Sequence, residues 1–348
     1  MNAIHCATAR FHGTCPPDLL QSSRAYLDQF GLDIRDEDDG FALIVPEGQS
    51  RLRREADGFT LTVTAHDRAA RHQLCEGAIH MLEHVFPGAL NTLGWSGIEE
   101  AGQLPPNMHP ATLANVTRLS ENFLRVTLNC ATAQAMTKGG MHFGLLIPPE
   151  ERAPVWPYLN DKGRTVWPKG DDAVHRAAFT VVAIDAVKGQ VVFDLFEHAG
   201  GPSTRWAQAG EIGARVVLSG PGGGDFPPGT HMVLAGDETA IPAIRRILQT
   251  SAAGRHGVVL IETGSRDDML IAPADLPPGF SLRWIDRRSG ARLVDALDTL
   301  ELPEDRHDLF VWLGAEQACV RHARTLFHTT HALPKKQTYL AAYWTASA

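Results

Sequence analysis

Residues 1–98 combine apolar positions at helical spacing with short apolar or alternating runs. The segments Pro16–Phe30 and Asp67–Val85 have the character of helices. The runs Gly40–Val45 and Gly58–Ala65 have the character of strands, and the second alternates between apolar and polar positions. We therefore predict a small α+β domain, whose residues do not indicate a particular chemistry.

A polar, proline-rich stretch, Glu99–Pro110, follows and is interpreted as a linker. Beyond it the apolar residues fall into short β segments: Ala114–Leu119, Phe123–Asn129, Met141–Ile147, Ala178–Ile184, Val191–Glu197 and Arg215–Ser219. Short strands at turn-rich spacing, with one helix near the end, predict an antiparallel β-barrel over residues 109–228.

From residue 229 onward, strands and helices alternate. Thr230–Ala235 is predicted as a buried strand, Pro242–Thr250 as a helix and Gly257–Glu262 as the next strand, and the pattern continues to a final strand at Gln337–Trp344. Such alternation predicts an α/β domain with a parallel sheet over residues 229–348. Ligands of such sheets bind at the carboxyl ends of the strands.

Composition excludes several classes of protein. A formal net charge of −8 over 348 residues gives no electrostatic reason to expect nucleic acid or an anionic membrane as a partner. The five cysteines lack the spacing of zinc or iron–sulfur ligands, so no metal site is predicted. No apolar run reaches membrane-spanning length, and the first residues lack the apolar core of a signal peptide. We expect a soluble, cytoplasmic protein without membrane insertion, and the oligomeric state stays open.

The clearest candidate for chemistry lies between two predicted strands, in the turn Gly200, Gly201, Pro202, Ser203 and Thr204, which follows His198. The glycines permit conformations closed to other residues, and proline fits the first turn of a helix. The two hydroxyls lie beside amides that have no intrahelical acceptor, and such a helix end attracts phosphate. A well-capped helix without a ligand fits the same pattern equally well.

A second candidate loop, Gly236, Asp237, Glu238 and Thr239, follows the first strand of the α/β domain. A nucleotide is expected there, although the two carboxylates would repel a pyrophosphate unless only backbone amides and Thr239 face it. Gly314 and Glu316 follow a later strand in the same way.

Two arginines and two terminal aromatic residues each allow two interpretations. Arg287 and Arg288 follow the third α/β strand and could hold the additional phosphate of NADPH, or lie in a solvated loop. The terminal aromatic residues Tyr343 and Trp344 could stack on a flat ring or belong to the core.

Four segments taken in order, HAGGPSTRWA, AGDETAIPAI, VWLGAE and LAAYW, resemble the siderophore-interacting protein family. These are flavin-dependent ferric-siderophore reductases within the ferredoxin–NADP reductase superfamily. The resemblance covers about residues 105–348 and implies a flavin-binding β-barrel followed by a nicotinamide-binding α/β domain. It also implies FAD and either NADPH or NADH as cofactors, and a ferric siderophore as substrate. Residues 1–98 look like a small domain of unassigned function found beside such reductases.

The resemblance also implies roles for individual residues. The turn Gly200–Thr204 would cradle the FAD pyrophosphate, with His198 close to the flavin. The loop Gly236–Thr239, with Gly314 and Glu316, would border the nicotinamide nucleotide, and Tyr343 and Trp344 would lie near the isoalloxazine. Along the flavin strand the cofactor-binding positions are Phe179, Thr180 and Val181. Thr180 and His198 are the candidates for tuning the flavin or supplying protons.

The flavin strand departs from the family pattern, which is Arg-x-Tyr-Thr followed by a hydrophobic residue and a second arginine. Ala177 and Val182 replace the two arginines, and Phe179 replaces the tyrosine. Arg176 lies one position early, which in a strand directs it to the opposite face. Two hypotheses follow: an NAD(P)H-dependent flavoreductase, and a non-catalytic relative that binds an iron complex or a partner with a degraded flavin site.

Overall fold

The computed structural model describes residues 4–150, 152–223 and 226–346. Its contacts divide the chain into two compact units: residues 1–109 with 148–174, and residues 110–147 with 175–348. Part of the range 109–228, predicted as the barrel domain, therefore packs with the first unit.

The first unit is built on a six-stranded antiparallel sheet with the spatial order β2-β3-β4-β5-β1-β6. Its elements are β1 (His5–His12), α1 (Leu19–Asp28), β2 (Asp33–Glu37), β3 (Gly40–Val45), β4 (Gly48–Glu55), β5 (Gly58–Ala65), α2 (Arg68–Val85) and β6 (Trp95–Ser96). Along β5, Phe59, Leu61 and Val63 alternate into a core that they share with Leu82 of α2. The alternation in the sequence thus sets which face of the sheet the helices cover.

The sequence pattern does not predict β1, although this strand pairs with β5 over its whole length. Its inward positions include Ala7 and Ala9, each 1% exposed. Alanine gives a weak hydrophobic signal, and the intervening polar residues dominate the local pattern. The pairing partner, rather than local propensity, makes this segment a strand.

The second unit begins with a closed six-stranded barrel in the order β12-β13-β8-β7-β14-β9. Its elements, and the two short strands between them, are β7 (Met108–Arg118), β8 (Phe123–Asn129), β9 (His142–Ile147), β10 (Tyr158–Leu159), β11 (Thr165–Val166), β12 (His175–Asp185), β13 (Gln190–Phe196), α3 (Pro202–Ala209) and β14 (Arg215–Gly222). Closure removes the exposed edges that an open antiparallel sheet would leave. The predicted barrel is confirmed.

Strands β10 and β11 pair with each other in the segment that belongs to the first unit. Hydrogen bonds fix this segment there. Arg164 donates from Nη2 to the carbonyl oxygens of Leu90 and Leu93 at 2.5 and 2.6 Å, and the Trp95 amide donates to the Lys162 carbonyl at 3.1 Å. A long connection between two barrel strands thus completes the first unit.

The rest of the second unit is a five-stranded parallel sheet in the order β17-β16-β15-β18-β19. Its elements are β15 (His231–Gly236), α4 (Ile241–Gln249), β16 (His256–Thr263), β17 (Phe280–Asp286), α5 (Leu293–Asp298), β18 (Leu309–Glu316), α6 (Gln317–Arg324) and β19 (Thr338–Trp344). The predicted parallel sheet is confirmed. Among the described residues, no helix is both long and apolar enough to cross a bilayer.

Replacing Gly77 with alanine is expected to stabilise the protein. Gly77 lies in the middle of α2, and a Cβ built there meets no atom within 4 Å. Alanine in a helix interior is favoured over glycine by about 0.8–1 kcal/mol, so the midpoint of urea unfolding of the first unit should rise. A lower midpoint would contradict the open space found beside this residue.

Candidate functional site

A cavity of about 530 Å³ lies in the second unit, between the barrel and the last strand of the parallel sheet. Residues from three separate sequence motifs line it: Phe179 and Thr180 of β12; His198, Gly201, Pro202, Ser203 and Thr204; and Tyr343 and Trp344 of β19. The fold thus brings the turn, strand β12 and the terminal aromatic residues to one place. Gly200 lies within the same turn.

The turn closes tightly on itself at the start of α3. Gly200 has a φ of 72°, in the left-handed region that favours glycine. The His198 amide donates to Thr204 Oγ1 at 3.0 Å, and Pro202 is the first residue of the helix. The first amides of a helix have no intrahelical acceptor and carry the positive end of the helix dipole. This arrangement suits an anionic group such as a diphosphate.

The three residues of β12 that are predicted to bind a flavin lie in different surroundings. Phe179 packs against Phe193, with ring centroids 4.7 Å apart, and also lines the cavity. The Thr180 side chain is buried beside the cavity, whereas Val181 belongs to the barrel core. Exposure alternates along the start of β12: Arg176 and Ala178 are exposed, whereas His175, Ala177 and Phe179 are half-buried. Val181 therefore contributes packing to the strand rather than a surface of the cavity.

Thr180 belongs to a hydrogen-bond chain that the sequence did not reveal. His142 Nδ1 lies 3.1 Å from Thr180 Oγ1, and His142 Nε2 lies 3.2 Å from the Tyr343 hydroxyl. Burial, with a smaller contribution from the nearby Arg246, lowers the pKa of His142 to about 4. The imidazole is therefore neutral at pH 7, with one donor and one acceptor nitrogen. It connects Thr180 to the last strand of the parallel sheet.

No motif surrounds His142 in the sequence, because its partners lie 38 and 201 positions away. Its place at the start of a predicted barrel strand was the only signal available. Tyr343 packs closely against Gly314, where an added Cβ would lie 2.9 Å from Tyr343 Cζ. The predicted glycine at the end of β18 thus gives room to an aromatic ring.

A second cavity, of about 440 Å³, lies at the carboxyl ends of the parallel strands. Its lining includes Asp237, Glu238, Thr239, Glu262, Arg287, Glu316 and Trp344. Gly236, at the end of β15, pairs in register with Gly314 at the corresponding point of β18. The predicted loop 236–239 therefore lies beside Gly314 and Glu316, which form the end of β18 rather than following it, as the geometry of a parallel sheet requires.

The carboxylate of Asp237, in the lining of this cavity, is buried and is hydrogen-bonded within the protein. Its Oδ2 accepts hydrogen bonds from the Glu316 amide at 3.0 Å and from Trp344 Nε1 at 2.8 Å. Its Oδ1 accepts from the Thr239 amide at 3.0 Å and from the Thr239 hydroxyl. Burial raises the pKa of Asp237, against the effect of these donors. This one side chain ties together the ends of β15, β18 and β19.

Glu238 is also occupied within the protein. Its Oε1 accepts from the Gly264 amide at 2.7 Å, and both carboxylate oxygens pair with Arg287. Arg287 also pairs with Glu262 at 3.1 Å. Both acidic residues of the loop thus accept hydrogen bonds within the protein. The cavity lining keeps a net negative charge, because Glu262 and Glu316 also line it and Arg287 is shared between two carboxylates.

The two arginines proposed for NADPH already have protein partners. Arg287 lies between two carboxylates, and Arg288 pairs with Asp286 at 3.1 Å on the surface. The Glu316 side chain accepts from the Ala318 amide and caps α6. A contact of these arginines with the additional phosphate stays a prediction.

Comparison with known proteins matches both parts of the second unit to one family. The model of the siderophore-interacting FAD-binding domain matches residues 112–225, and that of the siderophore-interacting protein matches residues 229–347. The NADPH-dependent ferric-chelate reductase of Escherichia coli (strain K12) is 28% identical over 241 residues, covering 68% of this chain and 92% of the relative. The ferric vibriobactin reductase ViuB of Vibrio cholerae is 24% identical, covering 65% and 85%.

Solved structures share the fold. A siderophore utilization protein from T. fusca superposes with a TM-score of 0.60 at 24% identity, over 72% of this chain and 97% of its own. The siderophore-interacting protein SipS from Aeromonas hydrophila gives 0.58 at 24% identity, over 70% and 93%. The matched family models cover the barrel and the parallel sheet and leave residues 1–111 outside.

Proposed function

Because the chain belongs to the siderophore-interacting protein family, we propose that it is an NAD(P)H-dependent flavoprotein that reduces ferric siderophores and so releases Fe(II). One observation carries the proposal: the two cavities share part of their lining, including His198, Thr239 and Trp344. A nicotinamide nucleotide in the smaller cavity and a flavin in the larger would therefore be neighbours. Hydride transfer from the nicotinamide to the flavin requires that proximity. The redox chemistry belongs to the cofactors, so the protein needs neither an acid–base pair nor a metal site for it.

The larger cavity fits FAD in its chemistry. The amides at the start of α3, with Ser203, would hold the diphosphate, and a flat ring would pack against the aromatic lining residues Phe179 and Trp344. Thr180 would contact the flavin, with its hydroxyl held by His142. A bound FAD would supply hydride-accepting chemistry toward the nicotinamide and one-electron chemistry toward Fe(III).

The protein's own part is to position these groups and exclude water. In this proposal residues 109–228 hold FAD and residues 229–348 hold the nicotinamide nucleotide, bordered by Gly236–Thr239, Gly314 and Glu316. Fe(II) binds hard-oxygen siderophores less tightly than Fe(III) does, so reduction frees the metal. The proposed location is the cytoplasm, where reduced nicotinamide nucleotides are available.

One feature favours the alternative of a non-catalytic relative. Ala177 and Val182 lie where the family pattern has arginines, and a charge-assisted contact to phosphate contributes about 1.5–3 kcal/mol. Loss of such contacts would weaken FAD binding by roughly ten- to a hundredfold or more. The intact turn Gly200–Thr204 and the loop Gly236–Thr239 favour the enzyme.

The deciding experiment follows the flavin spectrum. Purified protein, supplied with FAD, should show flavin absorbance that NADPH or NADH bleaches without oxygen and that a ferric siderophore restores. Fe(II), trapped by ferrozine, should appear at two equivalents per nucleotide oxidised, since a hydride carries two electrons. Protein that takes up no FAD would refute the flavoenzyme and support the non-catalytic relative. Rates with NADPH and NADH, compared side by side, give the nucleotide preference.

A further inference from the structure

His175 lies on the wall of the larger cavity beside the turn at the start of α3. It is the first residue of β12 and pairs with Ile147 of β9. Its Nε2 lies 2.9 Å from Ser203 Oγ, and both residues line the cavity. Ser203 is the second residue of α3, so the imidazole stands next to the amides that suit a diphosphate.

The charged groups around His175 are mostly cationic. Arg205, on α3, donates to the Gly200 carbonyl, and Arg176 is the next residue of β12. Position 177, which shares the face of His175, holds alanine. The neighbouring strand β9 pairs its uncharged residues Ile147 and Leu146 with this end of β12. The acidic side chain of the cavity lining, Asp194, is paired with Arg125 at 2.8 Å and with Arg245 at 3.5 Å.

We propose that protonated His175 supplies the cationic contact to the FAD diphosphate that Ala177 and Val182 do not, and so makes FAD affinity depend on pH. The inference rests on the proposed function, because it places FAD in this cavity. A protonated imidazole has only donor nitrogens, so Nε2–H must donate to Ser203 Oγ. The Ser203 hydroxyl hydrogen is then left to point to the diphosphate. Protonation of His175 thus strengthens two hydrogen bonds, one from Nε2 to Ser203 Oγ and one from the Ser203 hydroxyl to the diphosphate.

The direction of the pH dependence follows from linkage. Without ligand, burial and Arg205 hold the pKa of His175 below its usual value. A diphosphate beside the ring favours the charged form and raises that pKa, so FAD binding takes up a proton. Affinity should therefore fall as the pH rises through the range between the two pKa values.

The test is a titration of flavin-free full-length protein with FAD, followed by flavin fluorescence between about pH 6 and pH 8. The Kd of the natural protein should rise about tenfold or more across this range. His175→Gln should bind FAD with little pH dependence, near the affinity of the natural protein at the alkaline end. His175→Arg, with a permanent charge, should bind tightly at every pH.

Two controls separate the charge effect from other causes. Riboflavin lacks the diphosphate, so its Kd should show no dependence on His175. Arg176→Gln should keep the pH slope, because a guanidinium does not titrate in this range. An unchanged slope in His175→Gln, or no slope in the natural protein, would overturn the inference and leave the proposed function standing. Failure of the natural protein to bind FAD at any pH would overturn both.

Discussion

Replacing Ser203 with aspartate is expected to weaken FAD binding by at least about a hundredfold, while the flavin-free protein stays as stable as before. Ser203 is the second residue of α3 and lines the larger cavity. A carboxylate in the first turn interacts favourably with the helix dipole, by about 0.3–1 kcal/mol. The same negative charge would stand where the diphosphate is expected to bind.

The magnitude follows from Coulomb's law. Two like charges about 4 Å apart repel by about 4 kcal/mol at the effective dielectric near a protein surface. About 1.4 kcal/mol is a tenfold change in Kd, so partial screening still leaves the expected hundredfold loss. The measurement is the Kd for FAD by fluorescence titration, beside thermal unfolding of the flavin-free protein.

Ser203→Asn is the matched control, because asparagine has nearly the size and shape of aspartate and can hydrogen-bond to His175 but carries no charge. It should bind FAD within about tenfold of the natural protein. If Ser203→Asp binds FAD as tightly as Ser203→Asn does, the diphosphate does not bind at the start of α3. The riboflavin affinities of both variants should stay equal, since the repulsion requires the phosphates.

Local patterns predicted most of the second unit because its signals are local. The buried strands of the parallel sheet are nearly continuous apolar runs, and the predicted Phe123–Asn129 is the observed β8. The turn Gly200–Thr204 was identifiable because glycine, proline and hydroxyl residues each have a preferred place at a helix start. Such preferences act within a few residues and are readable from one sequence.

What the sequence could not reveal are contacts between distant residues. His142 depends on Thr180 and Tyr343, and neither position indicates the other two. The pairing of Glu238 with Arg287 likewise spans 49 positions, so an acidic loop and a basic loop were interpreted separately. In the first unit, the alanines of β1 gave too little hydrophobic signal to mark a strand. These features depend on tertiary packing, which single-sequence patterns do not contain.

Replacing Asp237 with alanine should lower the free energy of unfolding of the second unit by at least about 3 kcal/mol. The side chain is 5% exposed and accepts hydrogen bonds from Thr239, Glu316 and Trp344. Alanine removes every one of these acceptors, in either protonation state of the aspartate. Each buried donor left without a partner costs about 1–3 kcal/mol.

The loss should also reach the binding site. Trp344 contributes to both cavities, and Asp237 fixes its indole through the bond to Nε1. We therefore expect weaker binding of both FAD and the nicotinamide nucleotide, in addition to a lower urea midpoint followed by tryptophan fluorescence. The two effects share one cause, because the same carboxylate ties the end of β15 to the ends of β18 and β19.

Two further variants should give smaller losses of stability. Asp237→Asn keeps one acceptor oxygen, which can accept from Glu316 and Trp344 while its amide group faces the Thr239 hydroxyl. It should therefore lose less stability than Asp237→Ala. Thr239→Val removes only the hydroxyl bond and should cost about 0.5–1.5 kcal/mol. Equal urea midpoints for Asp237→Ala and Thr239→Val would show that the bonds to Glu316 and Trp344 contribute nothing to stability. In that case Asp237 would not be the residue that holds β19 against the loop Gly236–Thr239.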